Sequence, residues 1–247
     1  MVDAALVISS PRRRARQLVL AILALAVCWP PAAVAFPPYR STDAETAGAG
    51  VLELRLGLAR VQRRDSVSRR SAPLTRTNFG IGPNWEVISE FEYSADEHTM
   101  AEGALGFKWA RLANGLGRGV ETLLLVPVRS DQSGVGLESQ FLTTIKRPRW
   151  QLHFNVGGFY DPRGTETERG WRASALAEFP RARFRPGLEL FVKDIRSQAP
   201  RVQAGLGMIK QFELLELRAG IHAGLSSQAP DVEASLWLAW RWQIAGD

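Results

Sequence analysis

Residues 212–242 read FELLELRAGIHAGLSSQAPDVEASLWLAWRW, two runs of strict alternation around a break of Ser, Gln, Ala and Pro. In the first run Leu215, Leu217, Ala219, Ile221, Ala223 and Leu225 share one parity, while Glu216, Arg218, Gly220 and His222 share the other. In the second, Val232, Ala234, Leu236, Leu238, Trp240 and Trp242 alternate with Glu233, Ser235, Trp237, Ala239 and Arg241. Successive strand side chains point to opposite faces, so this is a hairpin with one greasy face and one charged face. Strands of about ten residues with tryptophans closing the greasy face match a membrane-spanning hairpin with an aromatic girdle.

The pattern recurs through the chain. Glu53 and Arg55 oppose Leu52, Leu54, Leu56 and Leu58 in a strand at 51–61, and Arg76 and Asn78 oppose Thr77 and Phe79 at 73–82. Glu86, Glu90 and Glu92 oppose Trp85, Val87, Phe91 and Tyr93 at 85–93, and Lys108 opposes Phe107 and Trp109 at 99–109. Further strands fall at 119–128, 135–146, 150–160, 170–179, 183–193 and 201–210, giving about twelve with the opening hairpin. In 119–128 the alternation lapses, because Leu123 and Leu125 share the parity of Glu121. An even count lets the first and last strands close antiparallel with no free edge. The expected architecture is therefore all-β: a closed antiparallel outer-membrane β-barrel.

Loop lengths support this without having been used to find the strands. Connections at 62–71, 94–98, 129–134, 161–169, 194–200 and 226–230 are long on one side. Turns at 82–84, 146–149, 180–182 and 211 are short on the other, with 110–118 the exception. Long outside and short inside is the habit of outer-membrane barrels. The competing soluble reading is a secreted sandwich or barrel with Leu, Phe and Trp inside. It gives no reason for aromatics to gather near strand ends, where Trp85, Tyr93, Trp109, Trp150, Tyr160, Trp171, Trp240 and Trp242 form a candidate lipid-interface girdle.

The chain has 247 residues, of which 45% are hydrophobic. Past the N-terminus no apolar stretch approaches the roughly 18 residues of a spanning helix. Residues 1–35 read as a cleaved signal peptide, with Arg12, Arg13, Arg14 and Arg16 before an apolar run at 18–29 and Ala33-Val34-Ala35 before Phe36. Residues 36–50 lack periodicity and read as a leader lying in the periplasm or inside the barrel. Residues 51–242 form the barrel and 243–247 a C-terminal tail. Cleavage would remove Cys28, the one cysteine, leaving a chain without thiols. It would also leave 27 Lys and Arg against 24 Asp and Glu, a net of about +3 instead of +6. The basic balance is then slight and no basic helix accompanies it, so a nucleic-acid partner is not expected. The expected partners are outer-membrane lipids, a small-molecule solute, and the barrel-assembly machinery during insertion.

Twelve strands tilted about 40° give a backbone radius of roughly 12 Å, enough for a narrow channel or a plugged lumen. The residues expected to line it are Glu53, Arg55, Arg76, Glu86, Glu90, Glu92, Lys108, Arg172, Glu189 and Arg218, with Glu86, Glu90 and Glu92 as the most concentrated acidic row. Confined charges of both signs fit either a salt-bridged structural interior or a charge-selective permeation path. Catalysis is not expected. A lipid hydrolase needs a nucleophile and base at the lipid face, whereas His153 and His222 take the inward parity, His98 lies in a loop, and no Gly-x-Ser-x-Gly occurs. Three scattered histidines make no metal site, and no P-loop or dinucleotide fingerprint calls for a cofactor.

Two stretches carry a family resemblance. Ser41-Thr42-Asp43-Ala44-Glu45-Thr46 runs into Gly50-Val51-Leu52-Glu53-Leu54, and Glu102–Trp109 reads EGALGFKW. With Val126-Pro127 in the place of a Leu-Pro-Thr-Gly turn, the chain resembles the outer-membrane transporter family associated with the meta-pathway of phenol degradation. The departures are Val128-Arg129 in place of Thr-Gly and the residues after Trp242. The resemblance implies a barrel that passes small, often aromatic or hydrophobic, molecules. The alternatives are a closed structural or partner-binding barrel and, last, a lipid-active enzyme.

Overall fold

The computed structural model describes residues 38–63, 66–213 and 215–244. The expected signal peptide and the last residues of the tail lie outside them. The described chain forms twelve strands: β1 (Val51–Arg63), β2 (Ser66–Gly82), β3 (Trp85–Ser94), β4 (Thr99–Ala113), β5 (Leu116–Leu125), β6 (Gly136–Arg147), β7 (Trp150–Asp161), β8 (Glu168–Glu178), β9 (Phe184–Ile195), β10 (Arg201–Gln211), β11 (Leu215–Gly224) and β12 (Val232–Gln243). Each pairs antiparallel with its sequence neighbours, and β1 pairs with β12 from Val51 opposite Gln243 to Gln62 opposite Val232. The sheet is a closed barrel. Every ladder hydrogen bond is made within it, which satisfies the backbone where lipid offers no partners.

The apolar parity faces out. Phe141 is 68% exposed and Leu206 57%, and Leu105, Phe107, Phe154, Leu188 and Ile221 are exposed with them. The charged parity faces in, so the soluble reading with a greasy interior is overturned. All eight girdle aromatics are exposed or half-buried on the outer surface.

The strand ends depart from expectation in two hairpins. The segment 62–71, expected as a loop, is mostly ladder: β1 runs to Arg63 and β2 starts at Ser66, with Val61 opposite Arg69 and Arg60 opposite Arg70. This polar hairpin extends past the apolar band, where neither face is greasy and alternation vanishes from the sequence. Its charges find local partners, Arg60 Nη2 donating to Ser68 Oγ at 2.8 Å and Arg70 Nε to Asp96 Oδ1 at 2.6 Å. The long inner turn expected at 110–118 is likewise ladder, with β4 and β5 meeting at Asn114-Gly115. Both residues have positive φ (52° and 74°), the geometry of a two-residue hairpin turn that favours Asn-Gly. The exception to the loop-length rule thus disappears, and β5 ends at Leu125, before Pro127. Other strand limits shift by one to three residues.

Candidate functional site

Every connection at the β1 entry end of the barrel is short, and at that end residues 38–50 enter the lumen. The segment crosses between walls, gripped by strand side chains at each step. The Arg40 and Ser41 amides donate to Glu189 of β9 at 2.8 and 2.5 Å, and the Arg40 guanidinium pairs with Glu233 of β12. Thr42 exchanges two bonds with Asn155 of β7, at 2.8 and 2.9 Å. The Ala44 amide donates to Thr144 Oγ1 at 2.8 Å, and the Ala47 amide to Glu86 Oε2 at 2.7 Å. Lys108 reaches Asp43 at 3.1 Å and Lys146 reaches Glu45 at 2.5 Å. Tyr39 packs with Leu176 and Ile209. A Cβ on Gly187 or Gly207 would come within 2.5 Å of the Tyr39 ring or hydroxyl, and one on Gly80 would overlap the Gly48 carbonyl. Glycine within a strand often marks such close approach. Residues 38–50 are a plug.

The ten expected lumen residues are all buried or half-buried inside the ring, in three groups. Glu86, Lys108 and Glu189 hold the plug. Glu53, with Arg55 and Arg218, forms a cluster near the plug's exit: its carboxylate pairs with Arg55 and Arg241 and lies 3.5 Å from Arg218. Arg76, Glu90, Glu92 and Arg172 line the open space beyond. There Arg76 bridges Glu90 and Glu121, Arg69 meets Glu92 at 3.2 Å, and Arg172 meets Glu138 at 2.6 Å. The acidic row Glu86–Glu90–Glu92 is therefore divided, its lower member on the plug and its upper two above, with buried Ile88 between.

That open space is a cavity of about 380 Å³, floored by Arg40 and Thr42 and walled by the upper halves of the strands. Its wall includes an apolar side that charge parity alone had not suggested. Leu123 and Leu125, out of step in the sequence, pack beside Ile88 and Ala104, and Trp237 packs with Ala59, Val61 and Leu74. The lapse in alternation at 119–128 was the signal for the first cluster, and Trp237 on the charged parity for the second. Over the mouth, Arg163 binds Asp161 and Glu102, both at 2.8 Å, and donates to the Val126 carbonyl at 3.0 Å. Its bond to Asp161, joined by the Glu102 charge, holds the guanidinium above the usual arginine range. Two loops are thereby tied together.

The inward histidines are structural partners within the wall. His153 lies between Thr144 (2.9 Å) and Glu178 (3.1 Å), and His222 Nε2 meets Glu189 at 2.7 Å. Neither reaches the lipid side. No group of three or more His, Cys, Asp or Glu among the described residues is placed to hold a metal.

No family model and no curated protein matches the sequence. Solved structures do match in shape. An outer membrane channel from Pseudomonas putida F1 superposes with a TM-score of 0.60 at 10% identity, over 81% of this chain and 98% of that one. The KdgM porin gives 0.57 at 6% identity over 77% and 98%, and the NanC porin 0.57 at 8% over 76% and 97%. The fold is that of outer-membrane channels. At such identities the likeness extends to the barrel and not to what passes through it.

Proposed function

We propose that this chain is an outer-membrane channel for small solutes, with residues 38–50 as its gate. The observation that carries the reading is a lumen shared between a charge-lined vestibule and a segment of the chain's own N-terminal side. A segment held through its backbone amides and three ion pairs is bound, yet it is continuous with the barrel only at Val51 and is free to leave as a strap. In this reading the short-turn end faces the periplasm and the loop end the exterior, lipids surround the apolar belt, and export follows cleavage after Ala35 with insertion by the barrel-assembly machinery. The resemblance to transporters associated with phenol degradation extends the proposal to aromatic solutes. The plug's many contacts favour a second reading, a barrel permanently closed and structural.

Conductance in planar bilayers separates the two. Protein beginning at Phe36 is expected to open rarely, and protein lacking 36–50 to show steady, larger openings. A reversible lock guards against misfolding of the deletion. A Cβ on Gly117 would lie 3.1 Å from that of Ala44, near the ~3.5–4.5 Å a disulfide spans. The pair Ala44→Cys with Gly117→Cys should be silent when oxidised and recover openings on reduction. Silence from the deletion and from the reduced pair, both running as folded heat-modifiable barrels, leaves the structural reading standing.

A further inference from the structure

The vestibule's charges are unequally satisfied. Each carboxylate lining it has a basic partner within 4.0 Å, from Glu92 on Arg69 to Glu138 on Arg172. The reverse does not hold. Arg63 and Arg201 line the same cavity and, among the described residues, neither makes an ion pair; Lys193 reaches Glu168 only at 3.6 Å. These three stand together at the loop end. Lys193 and Arg201 are direct cross-strand partners on β9 and β10. Arg201 feels the positive charges of Arg63 and Arg40, offset by the carboxylate of Glu168. Like charges placed opposite one another destabilise a sheet, and burying polar atoms without partners costs more. Arg201 Nε is such an atom, enclosed and without a hydrogen-bond partner. Lys193 Nζ sits 4.5 Å over the Phe159 ring, which orients the ammonium without neutralising it.

We infer that Arg63, Lys193 and Arg201 form an anion-binding site at the loop end of the vestibule, which takes a small organic acid bearing two carboxylates. Two guanidiniums that make no ion pair among the described residues offer places for two negative charges, and their planar forks match carboxylate oxygens in pairs. A cavity of about 380 Å³ admits such a molecule with room for water. Arg40, which the plug presents to the cavity floor already paired with Glu233, adds to the positive field beneath. The site concentrates dianions above the plug, and it deepens the channel reading by naming a solute class; binding itself does not require conduction.

Calorimetric titration of succinate into folded, detergent-solubilised protein tests the site, with the neutral diamide succinamide as control. Wild type should bind succinate, more weakly as salt rises, and should not bind succinamide. Arg63→Gln with Arg201→Gln should weaken succinate binding about tenfold or more, since each charged hydrogen bond lost is worth about 1.5–3 kcal/mol and 1.4 kcal/mol is tenfold. Glu168→Gln, which releases Lys193, should tighten it. Lys210→Gln, removing a cation that stacks on Phe184 and Phe212 outside the cavity, should leave it unchanged. Equal binding of succinamide, no binding by wild type, or unchanged binding in the double variant overturns the site. Succinate binding by a protein that stays silent in bilayers after plug removal keeps the site and removes the channel. Conduction without succinate binding does the opposite.

Discussion

Glu53 is 1% exposed, yet it is surrounded by Arg55, Arg218 and Arg241. Inside the barrel the carboxylate is what permits three guanidiniums to share one corner. Breaking a buried pair from one side leaves the other charge desolvated and unanswered, at a cost of about 3–5 kcal/mol. Glu53→Gln should therefore lower the urea midpoint of the refolded barrel by far more than Glu97→Gln, in an exposed turn. Equal midpoints would mean that water reaches this cluster freely. Parity in the sequence was enough to place Glu53, Arg55 and Arg218 on one face. It was silent on their pairing, because which inward residues meet depends on the stagger between strands, and Arg218 and Glu53 are 165 positions apart. Glu86 illustrates the same limit: its neighbours in sequence are Glu90 and Glu92, but its work is done on the Ala47 amide.

At the level of single hairpins, alternation is legible only where one face is greasy. Mid-strand stretches were readable for that reason, and the polar ends of β1, β2, β4 and β5 were not. Turn chemistry fills part of the gap. Asn114-Gly115 is a hairpin signal in its own right, hidden by flanking Arg111 and Arg118, which pair across the ladder on the outer face. Gly115→Val places a β-branched residue at φ 74° and a Cβ 2.8 Å from the Lys146 carbonyl. Left-handed backbone alone costs such a residue on the order of 1–2 kcal/mol. Refolding yield into detergent, read as the heat-modifiable band on a gel, should fall for Gly115→Val and hold for Gly82→Val, where a side chain meets open space. If both fold alike, the tight turn is not needed to register β4 against β5.

For the molecule as a whole, the outer belt decides the solvent. Leu206, mid-strand and 57% exposed between Leu188 and Ile221, faces what the apolar surface demands be lipid. Arginine at the midplane of a barrel's lipid face costs about 2–4 kcal/mol. Leu206→Arg should therefore destabilise the barrel in lipid vesicles by about that much, and far less in urea-swollen micelles where water reaches the site. No penalty in vesicles would place β10 outside the bilayer. The ring of twelve was legible from an even set of alternating segments. The plug was legible only as one of two placements for the leader, since 38–50 has no period to read and its position is fixed by glycines and carboxylates scattered over six or more strands. Each of those glycines looks, in sequence, like any other weak point in a strand.

The β1–β12 seam joins residues 170 to 192 positions apart through twelve consecutive pairs, from Val51 opposite Gln243 to Gln62 opposite Val232. No native contact of the seam exists until the final strand has been synthesised, so closure is the last and least local step of assembly. The entropy of joining ends grows only slowly with the intervening length, about 0.6 kcal/mol per doubling, so the seam is slow to find but not costly to keep. The stretch ahead of β1 must be lying across the open trough when the two edges meet, or else thread a finished ring afterwards. Order of events, rather than affinity alone, then determines whether a newly made barrel is born shut.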